Sequence, residues 1–238
     1  MAVTAKPVTI SVDKARRVSG LLLSPRGARA CCVLAHGAGA GMTHPFMVSI
    51  AEGLAAHGIA TLRYQFPYME QDSKRPDAPK LAQAAVRAAV AKAAMLVTKL
   101  PLVAGGKSFG GRMTSQAQAE SPLCGVRGLA FLGFPLHAAG RPSDERASHL
   151  FAVNISMLFL QGTRDALADM ALMRKLVRAL GKRATLVTIE GGDHSFHLPA
   201  RAGRTDAEVR HDDACGHAAP PFRRHGSSIA RTGRPPLA

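Results

Sequence analysis

Tryptophan is missing from this sequence, tyrosine occurs twice and cysteine four times. Cys31 and Cys32 are adjacent in an apolar run, while Cys124 and Cys215 stand alone. Neither a disulfide framework nor a zinc-type ligand spacing can be built from them, and all four read as free thiols. No apolar run approaches the roughly 18 residues that a membrane-spanning helix needs, and Met1 to Ser11 lacks the apolar core of a secretory signal. These absences point to a cytoplasmic protein without a membrane partner. Acidic side chains are scarce as well: 16 Asp and Glu stand against 31 Lys and Arg, for a formal net charge of +15. Such an excess invites a polyanion partner, but the basic residues are scattered rather than clustered, so no specific nucleic acid is expected. No histidine cluster has zinc spacing, and neither an EF-hand nor a paired-carboxylate motif occurs, so no metal and no cofactor is expected.

What the sequence does contain is a folding unit of alternating elements. With 47% hydrophobic residues, the 238-residue chain can bury a sizeable core as one domain. Val8 to Val12 and Val18 to Leu23 read as a β-hairpin, and Ala30 to Leu34 as a more buried strand. Strands then follow at Ile59 to Arg63, Leu102 to Gly105, Gly128 to Gly133, Met157 to Gln161 and Thr185 to Ile189. Between them, helices are predicted at Pro45 to His57, Lys80 to Lys99, Ser108 to Ala119 and Asp169 to Leu180. This order implies an α/β fold with a mostly parallel, twisted sheet and helices on both faces. The last of these helices is the best marked. Met173, Leu176, Val177 and Leu180 fall on one face, Arg174, Lys175 and Arg178 on the other, and Gly181 can end it.

The C-terminal stretch differs in character. Thr205 to Glu208 has the form of a capping box, but the helix it announces barely continues in the sequence. From Arg210 the chain carries paired prolines, five arginines and only isolated large apolar residues, too little to offset the entropy of ordering. The expected division is a domain over residues 1–209 and a disordered basic tail over 210–238, with an ordinary flexible tail as the alternative.

Gly106-Lys107-Ser108-Phe109-Gly110 matches the pattern G-x-S-x-G, follows an apolar strand and opens a helix. In that context the glycines permit a sharp strand-to-helix turn that holds a serine hydroxyl clear of the sheet at the positive end of a helix. The alternative is a plain glycine-rich βα turn, and the strand and helix around the five letters favour the nucleophile over it. A phosphate-binding loop would need a glycine where this chain has Pro101. The second glycine-rich turn, His36 to Gly41, leaves backbone N–H groups free. Those of Ala38 and of Phe109 are the candidates for an oxyanion hole, and His36 itself reads as a structural hydrogen-bonding residue. A dinucleotide-binding reading of this turn fails at Met42, where a glycine is required.

Two further residues complete the order serine, acid, histidine. Asp165 lies just beyond one apolar strand, in Gly162-Thr163-Arg164-Asp165, and His194 just beyond the next, in Gly191-Gly192-Asp193-His194. A histidine can shuttle a proton near neutrality, and a carboxylate can fix its tautomer. Asp169 competes for the acid role but reads better as a helix N-cap, and Asp193 sits too close to the histidine to face it. The candidate site is therefore Ser108 as nucleophile, His194 as base and Asp165 as orienting acid. Phe66, Tyr68, Met69, Leu136 and His137 follow strands at the same sheet edge and are candidates for the pocket lining, with the core as the alternative for about half of them.

His36 to Gly41, Phe66 to Glu70, Gly105 to Arg112, Phe134 to His137, Gly162 to Asp165 and Gly191 to Phe196 together resemble the bacterial α/β-hydrolases related to dienelactone hydrolases. The same group is similar to a hydrolase-like subunit of a eukaryotic histone-acetyltransferase complex. The resemblance covers residues 8 to 209. It implies an α/β-hydrolase fold, esterase or thioesterase chemistry on a small acyl substrate, and Ser108, Asp165 and His194 as the triad. The short insert Ala138 to Phe151 implies a site without a lid domain. The closing helix after the histidine loop is expected to be absent, which would expose an apolar face and favour a homodimer. The rival expectation is a hydrolase-like interaction scaffold without turnover.

Overall fold

The computed structural model describes residues 4–199, 203 and 205–209. The tail over 210–238 lies outside the described residues. Strands β1 (Lys6–Ser11) and β2 (Arg17–Leu23) form the expected N-terminal hairpin. They are followed by β3 (Ala30–Ala35), α1 (Pro45–Ala56), β4 (Ile59–Tyr64), the short α2 (Pro67–Glu70) and α3 (Pro79–Leu96). Then come β5 (Leu102–Lys107), α4 (Phe109–Glu120), β6 (Val126–Leu132), β7 (Ser156–Gly162), α5 (Met170–Leu180), β8 (Ala184–Ile189) and α6 (Asp206–Glu208). The eight strands form one sheet in the order β1-β2-β4-β3-β5-β6-β7-β8. The hairpin joins through an antiparallel β2–β4 pair, and every pair from β4 to β8 is parallel.

Alternation along the central strands explains why helices cover both faces. In β3, Cys31, Val33 and Ala35 point into the core under α3 and α4, whereas Cys32 and Leu34 point into the core under α1. β7 repeats this, with Met157 and Phe159 on the first side and Leu158 and Leu160 on the second. The helix marked out by its periodicity buries Met173, Leu176 and Leu180 against the sheet, each worth about 1.5–3 kcal/mol on full burial. Asp169 caps it, its carboxylate accepting from the Leu172 N–H at 2.9 Å.

The segment between β6 and β7 holds only a 3-10 helix over Glu145–Ala152, so no lid domain is inserted. The capping box at Thr205 is formed: its hydroxyl accepts from the Glu208 N–H, and the Glu208 carboxylate accepts from the Thr205 N–H. α6 begins at this box, and Val209 behind it is fully buried in the same apolar cluster as Phe46 and Phe196; the expected absence of a closing helix concerns the residues that follow. Any continuation lies outside the described residues. Among the described residues, no helix is long and apolar enough to cross a membrane.

Candidate active site

Parallel strands deliver the loops at their carboxyl ends to one edge of the sheet, where α/β folds place their ligands. Four such loops meet here. β5 ends in Lys107 and the chain turns into α4 through Ser108, whose φ of 50° and ψ of −114° lie in the left-handed half of backbone space. A non-glycine residue held there stores strain, and the turn is possible because its neighbours lack side chains: a Cβ on Gly106 would strike Ala35, and one on Gly110 would strike the carbonyl of His36. The result is a serine hydroxyl standing clear of the sheet at a helix N-terminus.

The loop after β8 brings His194 Nε2 to 2.9 Å from Ser108 Oγ, and the loop after β7 brings Asp165 Oδ2 to 2.7 Å from His194 Nδ1. The Asp165 side chain is wholly buried while that of His194 is 26% exposed. Burial works to raise the Asp165 carboxyl. The hydrogen bond and charge of His194, the Leu167 N–H and the charge of Lys107 outweigh it and hold the group below its ordinary value. An ionised acid can only accept, so Nδ1 donates to Asp165 and Nε2 is left to accept from the serine. Gln161 fixes the acid from behind: its Nε2 donates to Asp165 Oδ2 at 2.5 Å while its Oε1 accepts from the Phe134 N–H. Asp193 points away from the imidazole and accepts from the Ser195 and His197 N–H groups, shaping the histidine loop.

The glycine-rich turn after β3 places Ala38 at the edge of a cavity of about 570 Å³ that opens onto Ser108 and His194. Phe109 follows the serine as the first residue of α4. Neither the Ala38 nor the Phe109 N–H has an acceptor among the described residues. His36 lies beneath the turn as a structural residue, accepting from the Phe66 N–H through Nε2 and donating to the Gly37 carbonyl through Nδ1. Burial pushes its imidazole down to about 4.

The five residues proposed for the pocket wall are not around this cavity. α2 turns Phe66 and Tyr68 inward, where their rings pack with His36 and Phe109, and Met69 rests half-buried against the same core. Leu136 is fully buried, and His137 ties its loop to α5, accepting from the Asp169 N–H and donating to the Ala138 carbonyl. The wall comes instead from the start of α1, with His44, Phe46 and Met47, together with Leu167, His197 and Asp206. Asp206 also bonds His197 at 2.7 Å, so α6 closes one side of the cavity. Two residues at the centre carried no signal of their own in the sequence. Gln161 sits at the end of β7, and Lys107 is the variable position of the serine motif. Among the described residues, no group of three or more His, Cys, Asp or Glu is placed to hold a metal ion.

A family model described as an alpha/beta hydrolase domain matches residues 28–219. Among solved structures, a dienelactone hydrolase from Anabaena variabilis is similar over 92% of this chain and 96% of its own, with 23% identity and a TM-score of 0.73. An alpha-beta serine hydrolase homologue from Coxiella burnetii is 18% identical over 88% of this chain and 96% of its own, with a TM-score of 0.71. A Xanthomonas campestris member of the serine hydrolases without a lid is 18% identical over 92% and 95%, with a TM-score of 0.67.

Proposed function

From the premise that the chain belongs to the alpha/beta hydrolase domain family, we propose that it is a serine hydrolase acting on a small ester or thioester. The observation that carries this reading is the continuous relay from Ser108 Oγ through His194 to the buried Asp165, at 2.9 and 2.7 Å. Ser108 attacks the carbonyl carbon while His194 Nε2 takes its proton, and Asp165 stabilises the imidazolium that forms. The N–H groups of Ala38 and Phe109 receive the oxyanion, each worth about 3 kcal/mol in the transition state. Collapse of the tetrahedral intermediate expels the leaving group, which takes the proton from His194. Water then releases the acyl group with the same base. The cavity has room for a small acyl compound, and a cytoplasmic setting suits Cys31 and Cys124, which form no disulfide among the described residues.

Labelling by a fluorophosphonate probe tests the reading, comparing the chain as it stands with Ser108→Ala and with a version ending at Val209. Labelling that disappears in Ser108→Ala and survives in the shortened chain supports an activated serine in a domain closed by Val209. A folded chain that takes no label at all would transfer the argument to the scaffold reading, since a fold by itself does not fix function.

A further inference from the structure

Lys107 takes no part in the acyl-transfer steps, yet it is the one lysine buried among the described residues, at 8% exposed. Its Nζ donates to the main-chain carbonyl of His194 at 2.5 Å. The rings of Phe46, from α1, and Phe196, from the histidine loop, stand 5.7 and 5.8 Å from the ammonium. The charged groups that act on it are Asp165, after β7, and Asp193, beside His194 after β8. Gly133, the residue after β6, leaves the space by its missing side chain: a Cβ there would stand 2.9 Å from Lys107 Nζ, 3.1 Å from the His194 carbonyl oxygen and 3.4 Å from His194 Nδ1. The ammonium therefore lies beside His194, flanked by two aromatic rings, and Lys107 also lines the cavity that opens onto Ser108.

We propose that Lys107 is a positioning residue: its ammonium pins the His194 carbonyl, so that the imidazole of the same residue is held at proton-transfer distance from Ser108. The inference rests on the serine-hydrolase reading of the site. The histidine loop needs such an anchor, because it passes through Gly191 and through Phe196 with a positive φ of 62° rather than along a regular element. A charged donor makes a hydrogen bond roughly twice as strong as a neutral one, more so for a group as buried as Lys107. The anchor is consequently sensitive to pH. Burial pushes the ammonium down to about 8, against the pull of Asp165 and Asp193, so the charged clamp is complete below that value and is lost as pH rises through it. Losing half the strength of the bond should slow reaction at Ser108 about five-fold.

The test is the rate of Ser108 phosphonylation by a fluorophosphonate from about pH 6 to about pH 10, with Ser108→Ala as background, for the wild type, Lys107→Met and Lys107→Arg. The wild-type rate should step down near pH 8. Lys107→Met should be slow throughout and show no such step. Lys107→Arg keeps its charge at every pH, so it should recover part of the rate and lose the step. A wild type without the step, or a step that persists in Lys107→Arg, overturns the inference, and that comparison stands even if Lys107→Met does not fold. A wild type that takes no label at any pH overturns the serine-hydrolase reading itself.

Discussion

Gly110 sits two residues beyond the candidate nucleophile, where α4 presses on β3, and replacing it with alanine tests whether the elbow geometry matters for reactivity. A Cβ there would lie 2.5 Å from the His36 carbonyl oxygen and 2.7 Å from both the Cβ and the carbonyl oxygen of Ala35, where ordinary contact starts at 3.4 Å. β3 is held by β4 on one side and β5 on the other, so the helix end must give way, by about 0.9 Å. Ser108 moves with it, and its 2.9 Å contact with His194 lengthens beyond hydrogen-bonding reach. A displacement on the order of 1 Å costs about 100-fold in rate, while the overpacking itself costs about 1–3 kcal/mol of stability. For a domain of this size, melting should fall by about 2–4 °C per kcal/mol. The assay pairs fluorophosphonate labelling rates with thermal unfolding of Gly110→Ala. Labelling within a factor of about two of wild type would refute the reasoning, since positioning costs well above that are what it requires.

Asp165→Asn tests the acid. The amide cannot hold His194 in the tautomer that accepts from Ser108, so labelling should fall by about four orders of magnitude, and a fall of less than ten-fold would remove Asp165 from the triad. His36 predicts a pH dependence of stability. Its imidazole is pushed from 6.5 to about 4 in the fold, so the unfolded chain binds the proton more readily between these values, and stability is complete above 6.5 and declines below it. The full difference is about 3 kcal/mol. Urea unfolding at neutral pH and near pH 4.5 should show a shallower decline in His36→Gln than in wild type; equal slopes would place the effect elsewhere.

Much of this architecture can be read locally. The period of Met173, Leu176 and Leu180 specifies a helix with one buried face, and short apolar runs specify strands buried on both sides. The Gly106–Gly110 turn and the chain order Ser108, Asp165, His194 identify the reacting groups because steric and chemical requirements at those positions are met by few residue types. The short helix α2 and the 3-10 helix over Glu145–Ala152 were not legible, since one to three turns carry too little periodicity.

The sequence by itself determined the strand and helix alternation, the strained serine turn and the relay order, all of which depend on neighbours within a few positions. Only the tertiary structure decided the lateral strand order, the burial of Phe66, Tyr68 and Leu136 away from the cavity, and the walls supplied by α1 and Asp206. It alone also brought Gln161 behind the acid and Lys107 behind the histidine. Those placements arise from contacts between residues far apart in the chain, where packing of two faces against one sheet, rather than local spacing, sets which side chain meets which.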